Sequence, residues 1–151
     1  MIRLLGVALA GALALSPASS GHTQLTKEQY LAAIESAIAS PDADRLFHQV
    51  VSVESRGIWP PSRADWLRSN RRLRSEIELV ANRLERLAPP ADVAELHADW
   101  ISSLRSCAAR LRKLEDASPL DALIAAREIQ PCLDAHREIC ERFYENDYEF
   151  G

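Results

Sequence analysis

The chain has 151 residues, of which 47% are hydrophobic and 6% aromatic, and its formal net charge is −4. This length is typical of one domain. A mildly acidic balance argues against nucleic acid as the main partner. Ala, Leu, Arg and Glu are abundant and only 5 residues are glycine, a composition that favours helices over strands.

Residues 1–20 have the three parts of a secretory signal peptide. Arg3 supplies the positive start, Leu4 to Leu15 form an uncharged apolar run, and Pro17 with small residues follows. The run is too short to span a bilayer, which favours a cleaved signal peptide over the alternative, an uncleaved N-terminal anchor.

Cleavage after Ser20 leaves a mature chain of residues 21–151, and cleavage after Ala18 is the alternative. We expect this part to be a single domain, secreted or periplasmic, without a membrane anchor after cleavage. We expect no cofactor.

Hydrophobic residues recur at helical spacing along the mature chain, and no stretch alternates as a strand does. The pattern predicts an all-α fold, an up-down-up-down four-helix bundle whose first arm is broken at Pro41. The predicted segments are Leu25–Ser40 continued as Pro41–Ser55, then Ser62–Ala88, Ala91–Ala117, and a last helix from Ser118.

Local signals refine these helices. Thr26 and Gln29 form a capping box at the first helix, and Pro131 is expected to kink the last one. The acidic, aromatic tail "YENDYEFG" is expected to be frayed. Asn70 interrupts the apolar seam of the second long helix, where a polar residue can fix the register; the seam reads Trp66, Asn70, Leu73, Ile77, Val80, Leu84, Leu87.

Three cysteines permit one internal disulfide in an oxidising compartment. If the last two helices turn near Ser118, Cys107 and Cys132 lie at nearly the same height, whereas Cys140 is offset by about 12 Å. We therefore predict a Cys107–Cys132 disulfide and a free Cys140.

The four-residue spacing of Cys132, His136 and Cys140 also raises a metal hypothesis. The outer two lie too far apart on one helix to bind the same ion. A site would therefore combine His136 and Cys140 with His97, and with Asp99 or Glu141 nearby. We favour no metal, because histidines in such seams more often form a hydrogen bond to a neighbouring carboxylate.

Arginines cluster in "SRADWLRSNRRLR". Arg74 is four residues before Glu78, so it has a local partner, as does Arg72 before Glu76. Arg68, Arg71 and Arg72 flank the seam and form a possible anion site. The alternative is a solvated helix face.

Enzymatic activity is not expected. A secreted helical enzyme of the chorismate mutase kind would place arginines from several helices around one pocket, and no motif links the arginines of this chain. Nucleophilic chemistry by Cys140 with His136 needs an exposed, electropositive thiol, whereas Cys140 lies on the predicted buried stripe.

The segments "LTKEQYLAAIESAI" and "LERLAPPADVAELHADWISSLRSCAARL" resemble a group of exported bacterial helical proteins of unknown function. Leu25–Tyr30 and Leu84–Pro90 carry the resemblance. It implies an exported helical bundle and no activity. Those proteins often have a cysteine near the end of the first helix, where this chain has Ser36, so their disulfide pattern does not transfer.

The favoured function is an exported, non-enzymatic bundle that acts by protein–protein contact. The expected partner is another protein or a second copy, bound through the Trp66 helix or through a mixed disulfide at Cys140. The alternatives are a ligand-binding bundle, for a metal near His136 or an anion near Arg68, and a small helical enzyme.

Overall fold

The computed structural model describes residues 24–40, 63–116 and 129–150, and within these ranges the protein is an all-α bundle without strands. Four helices are defined: α1 (Lys27–Ile38), α2 (Arg63–Leu84), α3 (Ala94–Asp116) and α4 (Gln130–Glu145). None of the described helices is long and apolar enough to cross a membrane.

Several predicted features lie outside the described residues. They are the signal peptide, the break at Pro41 with the segment to Ser55, and the helix start at Ser118.

The predicted capping box at α1 is confirmed. The backbone N–H of Gln29 donates to Thr26 Oγ1 at 3.3 Å, and the N–H of Thr26 donates to Gln29 Oε1 at 3.0 Å. Two amides at the start of the helix thereby gain partners that the helix itself does not supply.

Helices α2 and α3 are antiparallel neighbours. Near the end of α2, the Leu84 carbonyl contacts His97 at the start of α3, while Asn70 near the start of α2 contacts Leu111 near the end of α3. Helix α2 stops at Leu84, earlier than the predicted Ala88, where the chain tightens into a turn: the N–H groups of Arg86 and Leu87 donate to the carbonyls of Arg83 and Leu84. A short 3₁₀ turn, Ala91–Val93, then leads into α3.

Helix α4 runs antiparallel to α3. Cys132, near its start, is bonded to Cys107, whereas Arg142 near its end reaches Asp99 close to the start of α3. Pro131 lies in the first turn of the described helix, and the residues before Ile129, on which the predicted kink depends, lie outside the described part of the chain. In the first turn a missing amide N–H costs no intrahelical bond.

The core consists of two groups of buried side chains. One lies where α1, α3 and α4 meet, and its largest members are Tyr30, Trp100 and Phe143. The other lies at the opposite end and contains Trp66, Leu73, Leu111, Leu114 and Ile129. Arg83 donates to the Ala37 carbonyl at 3.3 Å and ties α1 to α2.

The C-terminal tail is docked on the bundle, so the prediction that it frays is wrong. Tyr148 is 2% exposed and Phe150 is 9% exposed. The Phe150 ring stacks on Trp100 with centroids 5.3 Å apart, and the Tyr148 hydroxyl donates to Asp92 at 3.0 Å. The two aromatic rings bury enough apolar surface to hold the tail despite the acidic residues beside them.

Truncating Phe150 tests this docking. Phe150→Ala is expected to lower the free energy of unfolding by about 3 kcal/mol, because a buried aromatic ring is lost and a cavity remains beside Trp100. Chemical denaturation of Phe150→Ala and of the exposed neighbour variant Glu149→Ala gives the comparison. Equal stability of the two variants would show that the tail is not part of the core.

Candidate functional site

The predicted Cys107–Cys132 disulfide is present. It joins α3 to α4 with the two Cα atoms 5.6 Å apart, at a sequence separation of 25. Closing a loop of this size stabilises a fold by about 3 kcal/mol in the chain-entropy treatment. Cys140 is left as a free, half-buried thiol on α4.

The free thiol belongs to a short chain of contacts with Trp100 and His136. The indole N–H of Trp100 donates to His136 Nδ1 at 3.2 Å, and His136 Nε2 lies 3.7 Å from Cys140 Sγ. An indole nitrogen only donates, so Nδ1 must accept and the proton of the neutral ring sits on Nε2. The Nε2–H therefore points at the sulfur.

This tautomer is the wrong one for nucleophilic catalysis. A histidine that activates a thiol must present a bare nitrogen to it, whereas His136 presents an N–H. Burial and the nearby Glu141 carboxylate also raise the pKa of the Cys140 thiol, which disfavours the reactive thiolate. The Trp100 side of His136 is enclosed, and this partial burial lowers the pKa of His136.

The three hypothetical metal ligands do not form one site: His136 and Cys140 are in contact, but His97 is held by other groups. Both ring nitrogens of His97 are engaged elsewhere: Nδ1 lies 2.7 Å from the Tyr30 hydroxyl and Nε2 lies 3.1 Å from the Leu84 carbonyl oxygen. Of the other candidates, Asp99 accepts from Arg142. No group of three potential ligands in the described part of the chain is placed to hold a metal ion.

The hydrogen bonds of His97 fix the tautomer of its neutral ring. A carbonyl oxygen only accepts, so Nε2 carries the proton, and Nδ1 accepts from the hydroxyl of Tyr30. This bridge joins α1 to both α2 and α3, yet the sequence analysis did not find it. The sequence pattern showed only that Tyr30 and His97 each lie on the apolar side of a predicted helix.

Two of the three arginines of the possible anion site are paired with carboxylates. Arg68 pairs with Asp65 on its own helix, and Arg71 donates to Glu115 of α3 at 3.1 Å. Arg72 is exposed. Neighbouring carboxylates thus neutralise two of the three charges that an anion would need.

Arginines on α2 and α3 instead tie the two helices together. Arg74 binds Glu115 at 2.8 Å and its predicted partner Glu78 at 3.0 Å, and Arg112 reaches Glu78 from α3. The arginine bonds hold the pKa of Glu115 below its usual value, against the opposing effect of burial. The predicted ion pair of Arg72 with Glu76 is not seen; Glu76 instead accepts a hydrogen bond from the Ser40 hydroxyl at 2.9 Å.

Trp66 and Asn70 are among the buried seam residues of α2. Trp66 packs in the core, so it offers no exposed anchor for the partner expected on this helix. Asn70 is fully buried, and its Nδ2 donates to the Leu111 carbonyl at 2.9 Å, while Oδ1 has no hydrogen-bond partner among the described residues. A specific bond from a buried amide to one carbonyl agrees with a role in fixing the register.

The exposed aromatic side chain in the described residues is Tyr144, on α4. It is 50% exposed, stacks on Phe150 and donates its hydroxyl to the Phe150 carbonyl at 3.3 Å. His136, Cys140 and Tyr144 are each four residues apart, so they lie along one side of α4. We call these three residues the α4 edge.

Comparison of the chain with protein-family models, with curated proteins and with solved structures finds no match.

The neutral state of His97 makes the fold sensitive to acid. Burial lowers the pKa of His97, and the bond to the Leu84 carbonyl opposes that shift only in part. The unfolded chain binds a proton near pH 6.5, while the folded chain resists it. The stabilisation is therefore complete above about pH 6.5 and is lost as the pH falls below that value, by at most about 1.4 kcal/mol per pH unit.

Urea denaturation at pH 7.5 and pH 5.5 measures this loss. The wild-type chain is expected to be less stable at pH 5.5, and His97→Gln is expected to remove most of the difference. His136→Gln is the comparison variant: burial also lowers the pKa of His136, but its side chain is more exposed than that of His97, so we expect a smaller contribution from it. A pH dependence unchanged by His97→Gln would contradict this assignment.

Proposed function

We propose that this chain is exported and acts, without catalysis, as a helical bundle that binds another protein through the α4 edge. The disulfide between Cys107 and Cys132 supports an oxidising compartment, because such bonds persist mainly outside the cytosol. The signal-peptide pattern of residues 1–20 and the resemblance to exported bacterial helical proteins support the same destination.

The observation that carries the proposal is the exposure of Tyr144 beside a free thiol. Tyrosine is enriched at protein interfaces, where it adds a large contact area at low entropic cost. The Tyr144 ring is held in place by stacking on Phe150, so little further ordering is needed when a partner binds. Arg137 and Glu141 on the same helix supply a charged rim.

The contacts of the two described histidines weigh against the alternatives. His97 uses both ring nitrogens within the fold, and His136 directs an N–H at Cys140. Ligand binding or catalysis at either ring would first break a hydrogen bond that holds two helices together. Protein–protein contact needs no such rearrangement.

Photo-crosslinking tests the proposal. Tyr144 is replaced by a benzophenone amino acid in the chain expressed in its native cell, and the matched control places the same probe at Leu79 of α2. Leu79 is 41% exposed against 50% for Tyr144, so the two probes have similar access to solvent.

We expect a protein adduct of defined mass from position 144 and none from position 79. Mass spectrometry of the purified adducts identifies the captured chain. Absence of any adduct at 144, or the same adducts from both positions, would contradict protein–protein contact through the α4 edge.

A further inference from the structure

We propose that the partner at the α4 edge is a second copy of this chain, with the two α4 helices antiparallel and the two Cys140 residues adjacent across a two-fold axis. This inference rests on the proposed function and names its partner. A two-fold axis through Cys140 places His136 of one copy at the height of Tyr144 of the other. The α4 edge of one chain then contacts the α4 edge of the second chain.

The order of charges beside the α4 edge fits this arrangement. Arg137 and Glu141 lie next to it on the same flank of α4, with side chains 69% and 66% exposed. In an antiparallel helix pair related by a two-fold axis, each flank faces its own copy. Arg137 of one chain then lies near Glu141 of the other, and the symmetry repeats the pair.

Both side chains are available for such a pairing. Within one chain the Arg137–Glu141 separation is 3.9 Å, at the limit of an ion pair, and exposed pairs of this kind contribute little to stability. Arg137 also contacts Asp134 at 3.0 Å. A parallel pair would instead place this flank against the opposite flank of the partner, so the Arg137–Glu141 pairing belongs to the antiparallel arrangement.

The small size of α4 predicts that the dimer is weak unless a covalent bond joins the two chains. Sixteen residues of helix are about 24 Å long and about 10 Å wide, which is small beside the roughly 1,200 Å² that stable interfaces bury. A disulfide between the two Cys140 sulfurs would secure it.

In that reaction the two thiols release two protons and pass two electrons to a disulfide-containing oxidant, which leaves as two thiols. Because Cys140 is half-buried beside His136, we expect the bond to form slowly with free oxidant and faster when two copies are already docked.

Mixed charge variants test the pairing. Arg137→Glu gives a chain that is acidic at both rim positions, and Glu141→Arg gives one that is basic at both. Each purified chain, alone or mixed one to one, is incubated with oxidised glutathione, and intact mass spectrometry without reduction follows the dimers. Cys140→Ser is the control that should form no covalent dimer.

We expect wild type to form a dimer linked through Cys140. Each charge variant alone should form it about fivefold more slowly, because like charges then oppose each other twice. The mixture should recover the wild-type rate and yield mainly the dimer of unlike chains. Circular dichroism of each variant verifies that the helices are intact.

Equal rates for all chains, or a mixture without preference for unlike pairs, would overturn the second-copy assignment. A photo-adduct at position 144 with a different protein, together with that result, would leave protein–protein contact standing and only the partner wrong. Failure of the photo-crosslink would instead remove the proposed function itself.

Discussion

The antiparallel register of α3 against α4 is the constraint on which the rest of the structure depends. The Cys107–Cys132 bond fixes it at one end, and the packing of Trp100 against Phe143 fixes it at the other. Because both helices are rigid rods, these two points determine every pairing between them. A shift of one helical turn would separate the indole N–H of Trp100 from His136 and expose the surface on which the tail docks.

The same register decides the chemistry that the free thiol can perform. The hydrogen bond from Trp100 sets the tautomer of His136. His136 therefore directs an N–H at Cys140, whereas catalysis would need an unprotonated nitrogen there. Burial and the Glu141 carboxylate raise the pKa of the Cys140 thiol, which favours its protonated form at the border of the core. In that setting Cys140 is better suited to a slow bond between docked chains than to attack on a small substrate.

Features set by local spacing were predictable from the sequence, and those set by distant partners were not. The capping box of Thr26 and the height of Cys107 opposite Cys132 follow from helix geometry alone. The bond between Tyr30 and His97 spans 67 residues, and no periodicity shows which seam positions meet. The prediction that the tail frays was wrong because it rested on the acidic residues of the tail. The docking depends on Phe150, whose stacking partner Trp100 lies 50 residues earlier in the chain.

Peptide mapping of the oxidised, alkylated protein tests the α3–α4 register most directly. The account predicts one linked peptide pair containing Cys107 and Cys132, and Cys140 in peptides free of Cys107 and Cys132, either alkylated or linked to Cys140 of a second copy. A bond from Cys107 to Cys140, or three alkylated thiols in protein isolated without reductant, would contradict it. Either result would mean that α3 and α4 do not lie side by side as described.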